Sequence, residues 1–102
     1  VKISIKKGVR IRAMQPPVVL AIQVAAGAYE EYGMPEMTVT SICEGHHKRG
    51  SAHYSGRAFD LRIWGVGAPE DLTKDIKHLL GEEFDVILEK DHIHVEYDPK
   101  SA

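Results

Sequence analysis

Val1, Ile3 and Ile5 alternate with Lys2, Ser4 and Lys6, the period-two pattern of an exposed strand, and Gly8 turns that stretch into Val9–Arg12. Pro16-Pro17 then open a helix reaching about Tyr32, because proline is tolerated in a first turn. Val18, Ile22, Ala25, Ala26 and Tyr29 share one face at helical spacing, and Gly33 and Pro35 end the helix. Met37–Ile42 is rich in strand formers, and residues 43–52 follow as a polar loop. Further strands are predicted at Ala58–Trp64, Phe84–Leu88 and His92–Tyr97. Between the first two of these, Leu72, Ile76, Leu79 and Leu80 mark an amphipathic helix over Pro69–Leu80, ended by Gly81. The order β-α-β-β-α-β-β predicts one α+β domain over residues 1–102. Its sheet is small and mostly antiparallel, with two helices packed on one face.

Alternation in two of these strands sorts apolar from chemically active residues. Phe59, Leu61 and Ile63 face one way, and Ala58, Asp60 and Arg62 the other. Ile93, Val95 and Tyr97 likewise oppose His92, His94 and Glu96. If the two strands pair, Asp60 and His94 meet on the face away from the helices. The apolar run ends at Leu88, so residues 89–91 are expected to turn into the last strand. There alternation lapses, and Asp91 can swing its carboxylate towards His94; Glu89 is expected to stay solvated beside Lys90.

His53, seven residues before Asp60 across Gly56, completes a set of two imidazoles and one carboxylate. Zn²⁺ takes such ligands at about 2.0–2.2 Å and keeps a fourth position for water. The net positive charge left on the ion would lower the pKa of that water towards roughly 7 and polarise a carbonyl. Gly56 allows the bend that such convergence needs, and Ser51 is a candidate to hold a ligand or substrate group. On spacing alone these residues are as readily solvated polar positions as a metal site.

The string Ser51-x-His53-x-x-Gly56-x-Ala58-x-Asp60, followed by Asp91-x-x-His94, closely resembles a pair of family signatures. They are the SxHxxGxAxD and [DE]-x-x-H motifs of zinc D-Ala-D-Ala carboxypeptidases and L-Ala-D-Glu endopeptidases. These are bacterial and phage peptidoglycan peptidases that share the Hedgehog signalling-domain fold. The resemblance spans roughly residues 37–98 and includes all five fixed positions of the first motif. It implies one Zn²⁺ per chain held by His53, Asp60 and His94, with Asp91 as general base. It also implies hydrolysis of a peptide bond in peptidoglycan stem peptides. His92, on the face of His94, is a candidate contact to the substrate. Many relatives place an arginine after the strand preceding the first motif. This chain has Cys43-Glu44-Gly45-His46-His47-Lys48-Arg49 there, so Arg49, Lys48 and His46 become the candidate substrate-binding cations. In size the chain is most similar to compact phage-type enzymes such as endolysins.

Composition narrows the alternatives. A net charge of −2 leaves no basic stripe for nucleic acid. The apolar run Val18–Ala26 is broken by Gln23 and too short to span a bilayer, so no membrane partner is expected. That run also lacks the layout of an export signal. The expectation is a monomer made in the cytoplasm that reaches the cell wall through lysis or within a phage particle. The lone Cys43 excludes an internal disulfide. Two non-enzymatic readings compete: a catalytically silent zinc-binding module, and a phage structural component of the same fold.

Overall fold

The computed structural model describes residues 1–9, 14–42 and 56–99. The elements are β1 (Lys2–Ile5), α1 (Pro16–Glu31), β2 (Glu36–Ile42), β3 (Ala58–Arg62), α2 (Pro69–Leu80), β4 (Phe84–Leu88) and β5 (His92–Tyr97). Both helices start on proline, whose fixed φ suits a first turn and whose missing N–H is no loss there. In α2, Glu70 and Asp71 occupy the first turn and Lys77 and His78 the last, each matching the helix dipole. Gly81 closes α2 at φ 84°, a left-handed conformation that favours glycine.

The five strands lie in the order β1-β2-β3-β5-β4. Helix α1 returns the chain to the same end of the sheet, so β1 and β2 run parallel, and the sheet is mixed. The other three pairings are antiparallel, as expected. Helix α2 carries the chain from β3 to β4, which leaves a slot between them. A tight hairpin feeds β5 into that slot, closed by the Glu89 N–H donating to the His92 carbonyl at 2.8 Å.

Both helices cover one face of the sheet. Met37, Val39, Ile42, Phe59, Leu61, Val86, Ile93 and Val95 pack there against Val18, Ile22, Ala25, Tyr29, Leu72 and Ile76. Removing this apolar surface from water is the main force holding the layers together. Three details depart from simple alternation. Strand β2 carries a register shift between Val39 and Ser41, so Val39 pairs with Leu61 but Ser41 with Asp60. The extra residue keeps both Val39 and Ile42 in the core although they are three apart. Leu79, placed on the core face by spacing, is 56% exposed, whereas Leu80 beside it packs against the core. Strand β3 stops at Arg62, leaving Trp64 outside the strand and 69% exposed.

Candidate active site

Pairing of β3 with β5 sets Asp60 opposite His94, Arg62 opposite His92 and Ala58 opposite Glu96. Their neighbours Phe59, Leu61, Ile93 and Val95 fill the core, so this row of polar side chains stands on the sheet face away from the helices. The His94 Nδ1–H donates to Asp60 Oδ1 at 2.8 Å, and its Nε2–H donates to Glu96 Oε1 at 3.1 Å. With both ring nitrogens facing carboxylate oxygens, the doubly protonated, charged form of His94 is the favoured one. The hydrogen bond to Asp60 is the main cause of its pKa being pushed up to about 9; burial pulls the other way, and Glu96 adds to the rise.

Asp91 lies in the bend just before β5 and points back onto the same face. Its Oδ1 accepts from His92 Nδ1 at 2.7 Å. That bond holds the Asp91 carboxyl below the usual carboxylate range, against the opposing effect of desolvation. Asp91 is therefore ionised at neutral pH, and 80% of its side chain stays open to solvent. The other His92 nitrogen, Nε2, is 3.7 Å from Asp60 Oδ1. An imidazole thus stands between the two carboxylates.

A cleft of about 350 Å³ opens at the Asp60–Arg62–His92 end of this row, lined by these three and by Asp91, Lys6, Thr40, Ser41 and Trp64. Its size falls within the range of small-ligand sites. The register shift in β2 contributes Ser41 and Thr40 to the wall. Bulges recur beside functional sites because they re-aim side chains in this way.

Asp60, Asp91, His92 and His94, all singled out in the sequence, come together here. His53, Ser51, Arg49 and His46 lie outside the described residues, as do Cys43, His47 and Lys48. Among the described residues, no group of three or more His, Cys, Asp or Glu side chains is arranged to hold a metal ion. Two of the three expected ligands are described, and His53 is not. Gly56, the hinge of the first motif, has φ 70°, the left-handed conformation expected of a bend that glycine permits.

Glu96, Arg62, Lys6, Thr40, Ser41 and Trp64 carry no motif that assigns them a role from sequence. Alternation does place Glu96 and Arg62 on the right face, and that signal was available. Lys6, Thr40, Ser41 and Trp64 reach the cleft through a neighbouring strand, a register shift and a turn, none of which alternation encodes.

The chain matches no protein-family model, no curated protein and no solved structure. Among the described residues, no helix is long and apolar enough to cross a membrane.

Proposed function

We propose that this chain is a zinc-dependent peptidase that hydrolyses a peptide bond in peptidoglycan stem peptides. The observation that carries the reading is the convergence of His94 Nδ1 and Asp60 Oδ1, 2.8 Å apart, with Asp60 and the ionised Asp91 lining one cleft. An imidazole and a carboxylate bridged by a proton are a donor set that a cation can share once the proton leaves. The second nitrogen of His94 rests on Glu96, the outer carboxylate that metal-bound histidines usually have. The chemistry of the residues present thus fits zinc, with His53 as the third ligand by motif. The same reading carries the Hedgehog-like peptidase fold, a phage-type origin and action on the cell wall as a monomer.

Bound zinc would supply a Lewis acid and bring the pKa of a water molecule towards about 7. The chain's own residues do the rest. Asp91, held ionised by His92, takes a proton from the attacking water and returns it to the leaving amine. His92 keeps that carboxylate turned into the cleft. Glu96 fixes the ring of His94, so Glu96→Gln should weaken zinc binding about 10–100-fold, measured by competition with a chelating dye. Unchanged affinity would leave Glu96 without that role.

Two measurements on the purified chain test the proposal. Metal analysis should find one zinc, lost in His53→Ala and in His94→Ala. Mass spectrometry of muropeptides after digestion should find new termini, which identify the bond cut. Undiminished zinc in both variants would remove the metal site. Intact muropeptides with zinc bound would point to a silent binding module instead.

A further inference from the structure

We propose that Arg62, stacked on Trp64, is a carboxylate-binding subsite that anchors an anionic end of the peptide beside the Asp60–His94 pair. This inference deepens the peptidase reading and rests on it for the identity of the substrate.

Asp60 and Arg62 are two apart on β3 and so share a face, and Arg62 stands opposite His92 across the β3–β5 ladder. Immediately after Arg62 the chain turns. The Val66 N–H donates to the Ile63 carbonyl at 3.1 Å, and Gly65 takes φ 79°, which a residue with a Cβ adopts only under strain. The turn carries the Trp64 ring to Arg62, whose Cζ lies 3.8 Å from the ring centroid. The Arg62 backbone is fixed from the other side of the sheet. There the hydroxyl of the fully buried Tyr29 donates to the Arg62 carbonyl at 2.9 Å.

Three observations point this pair at a ligand. Trp64 is the largest apolar side chain that the fold leaves in water, and stacking under a guanidinium gives that exposure a use. Arg62 and Trp64 also line two clefts at once. One is the Asp60–Asp91–His92 cleft; the other, of about 230 Å³, is walled by Met34, Pro35, Glu36 and Thr38. An extended chain passing from one cleft to the other would cross them. Finally, among the described residues no carboxylate pairs with Arg62 or with Lys6, the other cation of the first cleft, whereas Asp60 and Asp91 are both engaged by histidines. A planar guanidinium held in place with no carboxylate partner among the described residues offers a paired-donor fork to a carboxylate, while a neutral peptide end would gain little from it.

Trp64 is the chain's single tryptophan, so its fluorescence reports on this position alone. Zinc-loaded full-length protein is titrated with N-acetyl-D-alanyl-D-alanine and with its C-terminal amide. The acid should give a saturable change, with the amide about tenfold to a hundredfold weaker, the usual range for losing a charge-assisted contact. Arg62→Met should abolish the preference for the acid, and Arg62→Lys, which keeps the charge but not the fork, should reduce it. Equal responses to acid and amide in the unaltered protein overturn the subsite, as does no response. A preference that survives Arg62→Met overturns it too, since the carboxylate would then be held by another group. Muropeptide digestion by the same preparation reads the peptidase proposal separately. Cleavage without acid preference sinks the subsite alone, whereas an Arg62-dependent preference without cleavage sinks the peptidase reading and leaves a carboxylate-binding site.

Discussion

Asp91→Asn is expected to keep its zinc and its fold while losing about 10²–10⁴-fold in kcat, the usual contribution of a general base. The β4–β5 hairpin explains why this acid is placed for the role. Glu89 and His92 close the turn through their backbones, so Lys90 and Asp91 leave the strand pattern and Asp91 folds back onto the side chain of His92. The resulting hydrogen bond favours the ionised carboxyl, so the base is ready at neutral pH. Its solvent exposure lets water reach it. Asparagine preserves the shape and can still accept from His92 through its carbonyl oxygen, but it cannot take up a proton. Glu89 is exposed and is not part of the cleft wall, so Glu89→Gln should change kcat little. Zinc content measured on both variants separates a lost base from a lost metal. A fully active Asp91→Asn protein would leave the mechanism without its base, and the reverse pattern would move the role to Glu89.

How much of this arrangement was legible in the sequence depends on which kind of information each part needs. The period of the apolar residues located the two helices and the late strands, since Leu72 and Ile76 or Ile93 and Val95 have nowhere to go but the core. The same alternation put Asp60, His92 and His94 on one face. That Asp60 and His94 are direct partners, however, is a matter of register, and register is fixed by the hairpin and by burial across the whole sheet. Strand direction was less legible. The parallel β1–β2 pair follows from α1 acting as a crossover, which strand composition does not reveal. Position 40 was not legible either, because one extra residue in β2 turns Ser41 towards Asp60 and contradicts strict alternation. Trp64 reads as one more strand residue until the Gly65 turn is seen to lift it out and bring it to Arg62.

Zinc affinity should rise steeply with pH up to about 9, a higher window than a free histidine near 6.5 would give. In the metal-free protein His94 carries two protons, one on Asp60 and one on Glu96, and a metal ligand must give up one of them. With its pKa pushed up to about 9, one proton is released for each zinc bound at any lower pH. Apparent affinity then gains about tenfold per pH unit, or about a thousandfold from pH 6 to pH 9, with a steeper fall below pH 6.5 if His53 also titrates. The sign for the metal-free fold is opposite. A pKa raised on folding stabilises fully below the unfolded value of about 6.5, and that contribution is lost as pH rises through 9. Denaturation of the metal-free chain should therefore become easier between pH 6.5 and pH 9, while the zinc-loaded chain, whose His94 is neutral both folded and unfolded over that range, should change little. His94→Gln should abolish zinc binding and flatten the trend of the metal-free chain. Zinc competition titrations from pH 6 to pH 9, with proton release followed in a weak buffer, measure the first trend directly. An affinity that levels off above pH 7 would mean that the proton shared by His94 and Asp60 is not the one zinc displaces, and the metal would have to be sought on other ligands.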